Sequence, residues 1–143
     1  MIKRYIIFSV LLIAFAIQFN GCKKDVKDTI PTTYVDFYID PNSTIYLELN
    51  LPGGWLYLTG GTRGIVVYRI SLDEFRAFDR ACPNEPNNAS AQIKVESSNT
   101  TAIDSLCGSR FVLLDGSVIN GPATQPLHQY HATYDGQYLH VYN

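Results

Sequence analysis

Beyond residue 33 the chain reads as short apolar runs, each closed by a turn signal. Residues 34–39 and 45–49 are rich in aromatic and β-branched side chains and are split by Asp40-Pro41-Asn42-Ser43, a pattern of two strands and a turn. Residues 55–58 follow Pro52-Gly53-Gly54, and residues 64–70 follow Gly60-Gly61. Residues 75–78 lead into a long polar stretch, 82–101, which contains the short β-like run Ile93-Lys94-Val95. Residues 110–114 then run into an Asp115-Gly116 turn and Val118-Ile119. Residues 129–134 and 137–142 flank Asp135-Gly136, the signature of a two-residue hairpin. Helical spacing is nearly absent; its one candidate is a short turn over residues 71–75, with Ser71 placed to cap it. Many short strands at regular spacing predict an all-β antiparallel sandwich or small barrel.

The first thirty residues follow another pattern. Lys3 and Arg4 precede an uncharged stretch, residues 5–19, that is mostly apolar. Its 15 residues fall short of the roughly 20 needed to span a bilayer and suit the core of a signal peptide. Small Gly21 then precedes Cys22, the arrangement that lipoprotein signal peptidase cuts, although Phe19 stands where leucine is usual. Cleavage there leaves Cys22 at the new N-terminus, with lipid on its thiol and a further acyl chain on its amine. Two or more chains matter, because one alone binds membranes only at about 10⁴ M⁻¹. The expected organisation is a signal peptide over 1–21, a charged tether with a proline over 22–32, and one β domain over 33–143. With no Asp directly after Cys22, the expected location is the outer membrane, facing the periplasm or the cell surface.

Composition narrows the partners. The leader holds two of the 11 basic residues and none of the 13 acidic ones, so the remainder carries nine against thirteen, a net −4. No basic stripe exists to recognise nucleic acid, and the expected partners are the membrane, through the lipid, and an envelope protein or ligand of unknown identity. Ten tyrosines favour sheet faces that are half wet. With Cys22 assigned to lipid, Cys82 and Cys107 remain as a pair, and in an oxidising envelope a pair is first a disulfide candidate.

From Gly64 onward the chain resembles a Rieske iron–sulfur domain. The strand-like runs 64–69 and 75–80 lead to Ala81-Cys82-Pro83-Asn84, where that family places its first ligand box. Asp104-Ser105-Leu106-Cys107-Gly108-Ser109-Arg110-Phe111 stands where the family has Cys-x-x-His-Gly-Ser-x-Phe. Gly121-Pro122-Ala123, Pro126-Leu127 and Tyr130 are similar to its proline loop and closing strands. The resemblance implies a Rieske-like β-sandwich or barrel carrying a small cluster-binding-type subdomain. The family binds a [2Fe-2S] cluster through two thiolates on one iron and two imidazoles on the other. Matched position by position, Cys82 is kept, Asn84 replaces the first His, Asp104 the second Cys, and Cys107 the second His. A neutral amide donates weakly and a carboxylate is hard where a soft thiolate is wanted. The two surviving thiols would moreover face different irons.

The resulting expectation is a lipid-anchored Rieske-like domain without a resident cofactor or enzymatic activity, acting as a structural or binding module. The loops that meet at the family's tip would here be closed by a Cys82–Cys107 disulfide, with two free thiols or a mononuclear metal as the alternatives at that pair. The runner-up is a [2Fe-2S] electron carrier with atypical ligands Cys82, Asn84, Asp104 and Cys107; a thiol–disulfide redox protein ranks third, lacking a Cys-x-x-Cys motif. Ser109 is expected to satisfy a loop amide. His128 and His131, three apart in a strand, point to opposite faces and with His140 read as surface histidines rather than metal ligands. The polar residues 84–101 are the expected binding surface.

Overall fold

The computed structural model describes residue 30 and residues 33–143; the leader, Cys22 and most of the tether lie outside the described residues. Among the described residues there are ten strands, β1 (Asp36–Ile39), β2 (Trp55–Leu58), β3 (Ile65–Arg69), β4 (Phe75–Asp79), β5 (Ile93–Val95), β6 (Thr101–Asp104), β7 (Arg110–Val112), β8 (Val118–Asn120), β9 (Gln129–Tyr134) and β10 (Leu139–Tyr142). They form a six-stranded sheet ordered β1-β10-β9-β4-β3-β2 and a four-stranded sheet ordered β5-β6-β7-β8. All strand pairs are antiparallel.

Strand β3, Ile-Val-Val-Tyr-Arg, is buried at every position, because both of its faces are covered. Ile65 and Val67 point to one cluster with Val35, Ile39, Leu139 and Val141. The large sheet thus curls until β1 and β10 cover β3. Val66 and Tyr68 point the other way, into a cluster with Phe78, Ile93, Ala102, Phe111, Leu113 and Leu127. That second cluster seats the small sheet on the large one. Polar contacts fix the seating: the Val95 N–H donates to the Tyr57 hydroxyl at 2.8 Å and Trp55 Nε1 donates to Asn99 Oδ1 at 3.0 Å. The Arg80 guanidinium lies 3.5 Å from the Tyr57 ring centroid. The architecture is the all-β antiparallel one expected, a curled six-stranded main sheet carrying a small four-stranded sheet.

Local departures have physical causes. Residues 45–49, expected as a strand, are a 3-10 segment, Thr44–Leu49. Leu49 is buried in the core and Tyr46 packs against it, while Ile45 and Leu47 are exposed, and Arg69 Nη1 donates to the Leu49 carbonyl at 2.8 Å. Residues 71–75 are not a helical turn. The ladder pairs Arg69 with Phe75, so the chain must reverse between them, and Ser71 Oγ accepts the Asp73 N–H at 3.3 Å. The last hairpin is joined by residues 135–138, since Tyr134 pairs with Leu139. Asp135 Oδ1 accepts the N–H groups of Gln137 and Tyr138 at 2.8 and 2.6 Å and so widens a turn that its sequence marks as tighter. The polar stretch 82–101 is partly ordered by β5, and β6 begins at its end.

Three carboxyls on the surface give the fold a pH dependence. Hydrogen bonds from His140 and then Tyr34 hold Asp36 below the usual carboxylate range. Donors from Ser117 do the same for Asp115, and the N–H groups of Tyr138 and Gln137 for Asp135. Each pKa is lower folded than unfolded, so its stabilising contribution is full above the unfolded value, about 3.9, and is lost as pH falls through the folded one. Urea unfolding is expected to show a lower midpoint at pH 3 than at pH 6. A higher midpoint at pH 3 would contradict these assignments.

Candidate functional site

Three loops converge beside the small sheet. The first leaves β4 and carries Cys82; its mouth is closed by the Cys82 N–H bonded to the Ala91 carbonyl at 3.1 Å, and successive turns link 82 to 85, 85 to 88 and 88 to 91. Pro83 and Pro86, both buried, stiffen it. The second joins β6 to β7 and holds Asp104, Cys107 and Ser109 in a tight cup. The Asp104 N–H donates to the Ser109 carbonyl at 2.9 Å and the Gly108 N–H to the Asp104 carbonyl at 2.8 Å, while Asp104 Oδ1 accepts the Leu106 N–H at 2.9 Å. Closing the cup needs φ of +77° at Gly108, a conformation that side-chain-bearing residues rarely adopt. The third loop, with the cis Gly121–Pro122 bond, is tied in where Ser109 Oγ accepts the Ala123 N–H at 2.9 Å. Ser109 thus satisfies a loop amide, as expected, and accepts the Cys107 thiol at 3.0 Å as well.

At the centre, the sulfurs of Cys82 and Cys107 are 3.7 Å apart, and Cys107 Sγ is 3.5 Å from Asp104 Oδ2. Both thiols are free. One ligand atom from each of Cys82, Asp104 and Cys107 lies within 4.8 Å of the other two, and this is the one such grouping of Cys, His or acidic residues among the described residues. Cys82 is fully buried and Asp104 is 1% exposed; Cys107 is half-buried. Burial pushes the Cys82 thiol far above its usual range, and the hydrogen bond to Asp104 pushes the same way. A group held this strongly as the neutral thiol is a poor nucleophile at neutral pH. Asn84 sits in the same loop, half-buried, and its backbone hydrogen-bonds the Cys82 sulfur. The donor set here is two sulfurs and a carboxylate, against the two thiolates and two imidazoles of a Rieske centre.

The histidines form no common site. His131 and His140 stack on Tyr142 at 4.9 and 4.4 Å, and His140 also stacks on Tyr38 at 4.0 Å. His140 Nε2 is 2.7 Å from Asp36 Oδ1. His128 lies edge-on to Tyr130. On the polar stretch, Asn99 does line an open groove of about 550 Å³, together with Glu48, Trp55 and Tyr57.

One fully buried carboxylate is not announced by the sequence. Asp79, at the end of β4 and fully buried, accepts the Tyr130 hydroxyl at 2.7 Å, the Ala81 N–H at 2.7 Å, the Arg63 N–H at 3.2 Å and the Thr62 N–H. Burial and this carboxylate push the Tyr130 phenol above its ordinary range. A Cβ at Gly61 would stand 2.5 Å from Asp79 Oδ2 and 2.6 Å from the Tyr130 hydroxyl, so only glycine fits there. In sequence, Asp79 beside Arg80 resembles an ordinary surface ion pair. Gly60-Gly61 reads as a turn, and the pair gives no sign of the carboxylate that the chain from Gly61 to Arg63 wraps.

No protein-family profile matches the sequence, and no curated protein does. Among solved structures, the ferredoxin of carbazole 1,9a-dioxygenase from Nocardioides aromaticivorans IC177 is similar, at 17% identity. The match covers 78% of this chain and 98% of that chain, with a TM-score of 0.49.

Proposed function

We propose that this chain is an exported, lipid-anchored domain whose Rieske-like loops hold no [2Fe-2S] cluster, and which serves in the envelope as a structural or binding module. The observation that carries the reading is the 3.7 Å separation of Cys82 and Cys107. In the resemblance these positions serve different irons, and ligands on opposite sides of a two-iron rhomb need a wider gap than that. Asp104 in a thiolate position and Asn84 in an imidazole position support the same reading. The open groove at Trp55, Tyr57 and Asn99 offers aromatic and amide groups to a binding partner.

The direct test is the visible spectrum of the purified full chain with iron and sulfide assays. A colourless protein without stoichiometric iron or sulfide is expected; two irons and two sulfides per chain would establish the electron-carrier reading instead. The anchor is tested by Cys22→Ser, which is expected to move the protein out of the membrane fraction. Unchanged fractionation would refute lipidation.

In an oxidising envelope the two thiols are expected to close as a disulfide, each giving up a proton and an electron to a disulfide donor. The sulfurs then approach from 3.7 Å to about 2.05 Å. The bridge would close a loop between positions 25 apart, worth roughly 3 kcal/mol in the loop-entropy account. Alkylation of the unfolded protein with and without reductant, read by mass, checks this: both cysteines labelled without reductant would exclude the bridge.

A further inference from the structure

The geometry points to a second, metal-bound form of the same three residues: in the reduced protein, Cys82, Cys107 and Asp104 bind one thiophilic divalent cation of the zinc class. This rests on the reading that no [2Fe-2S] cluster occupies the loops. Two thiolates on one tetrahedral zinc, at about 2.3 Å each, stand about 3.75 Å apart; a thiolate and a carboxylate oxygen at about 2.0–2.2 Å stand about 3.5 Å apart. The protein holds its sulfurs 3.7 Å apart and Cys107 Sγ 3.5 Å from Asp104 Oδ2. Two edges of the triangle therefore match one tetrahedron, and the third, from Cys82 to Asp104, lies within 4.8 Å.

The donor chemistry agrees. Zinc accepts sulfur and carboxylate oxygen together, whereas a two-iron cluster with this set would lack both imidazoles. The surroundings orient the donors. Asp104 is fixed by the Leu106 N–H on its other oxygen, Cys107 by the cup that Gly108 closes, and Cys82 by the turns of its own loop. Support of this kind, one shell out, is what holds ligands at a metal. The fourth corner is left to water or to an exogenous donor, because no further His, Cys or acidic ligand atom among the described residues joins the group.

Binding is a proton exchange without electron transfer: two Zn–S bonds form and two thiol protons pass to water. It also excludes the disulfide, since the same sulfur lone pairs are engaged by the ion. The site then has two mutually exclusive fastenings, covalent when oxidised and ionic when reduced, across the same pair of loops.

The test uses the full chain, purified, assayed for iron and sulfide, then reduced with a phosphine that does not chelate. Addition of Co²⁺ as a spectroscopic stand-in is expected to give one ion per chain, a thiolate-to-cobalt band and intense tetrahedral bands, all bleached by Zn²⁺. Zn²⁺ is expected to slow alkylation of both Cys82 and Cys107 in the unsubstituted protein, a readout that needs no variant to fold. Asp104→Asn is expected to weaken Zn²⁺ at least about tenfold, the low end of what losing even an outer-shell partner costs. Weak octahedral cobalt bands, with both thiols alkylated as fast in Zn²⁺ as without it, would overturn the inference and leave the cluster-free reading standing. Iron and sulfide in the untreated protein would overturn that reading first, so the two failures are told apart. An unchanged Zn²⁺ affinity in Asp104→Asn would remove Asp104 from the site.

Discussion

Asp79→Ala is expected to destabilise the domain by about 3–5 kcal/mol, since hydrogen bonds to a charged group are worth about 1.5–3 kcal/mol each and do not add fully. The carboxylate takes hydrogen bonds from Tyr130, Ala81, Arg63 and Thr62. Alanine would leave those donors facing a cavity, each orphaned buried donor costing about 1–3 kcal/mol before relaxation. Relief of the buried charge and entry of water offset part of that sum. Against a total stability of about 5–15 kcal/mol, the loss is a large fraction, and chemical denaturation reads it directly. Tyr130→Phe removes a single hydroxyl and is expected to cost about 1–2 kcal/mol. A loss below about 1 kcal/mol for Asp79→Ala would show that the Gly61–Arg63 turn does not depend on the carboxylate.

The second large effect is expected at Arg69→Leu, about 3–4 kcal/mol, from charged hydrogen bonds worth about 1.5–3 kcal/mol each that do not add fully. Arg69 is 3% exposed. Its guanidinium donates to the carbonyls of Ser71, Leu72 and Leu49 and to Asn42 Oδ1, and it lies 4.9 Å from the Phe75 ring centroid. One side chain therefore ties the β3–β4 turn to the segment around Thr44–Leu49. Hydrogen exchange at Asn50, whose N–H donates to the Leu47 carbonyl, is expected to quicken in the variant more than exchange in β4. Equal quickening throughout would mean that the segment has no separate dependence on Arg69. Arg69→Lys keeps the charge but loses the planar fork, and is expected to recover only part of the stability.

Much of the fold was legible because its signals are local. The runs at 65–69, 75–79 and 129–134 carry strand propensity, and Asp115-Gly116 and Asp135-Gly136 mark reversals that the chain does make. What failed depended on distant partners. Residues 45–49 have strand-like composition, but no neighbouring strand pairs with them, and Arg69 claims the Leu49 carbonyl instead. Strand β6 was hidden because Thr101 and Asp104 look like loop residues; only Ala102 and the pairing with β5 and β7 reveal it. The candidate site was legible as a set of positions, because Cys82 and the Asp104–Ser109 stretch lie in recognisable boxes. That Cys107 faces Cys82 is implied by the resemblance, whereas that Asp104 joins them within 4.8 Å follows from how three loops fold on one another, and no single-sequence spacing encodes it.

The contacts of Asn143 have a mechanical consequence. Asn143 accepts the Val35 N–H at 3.1 Å, donates through its side chain to the Thr33 carbonyl at 2.7 Å, and donates its own N–H to the Val35 carbonyl at 3.1 Å. Beyond that clasp, β1 runs antiparallel to β10 over the pairs from Asp36–Tyr142 to Ile39–Leu139. Tension arriving along the backbone at Thr33 is thus directed down the length of β1. It loads the clasp and the ladder in shear, several bonds sharing the force at once, instead of peeling them open one after another.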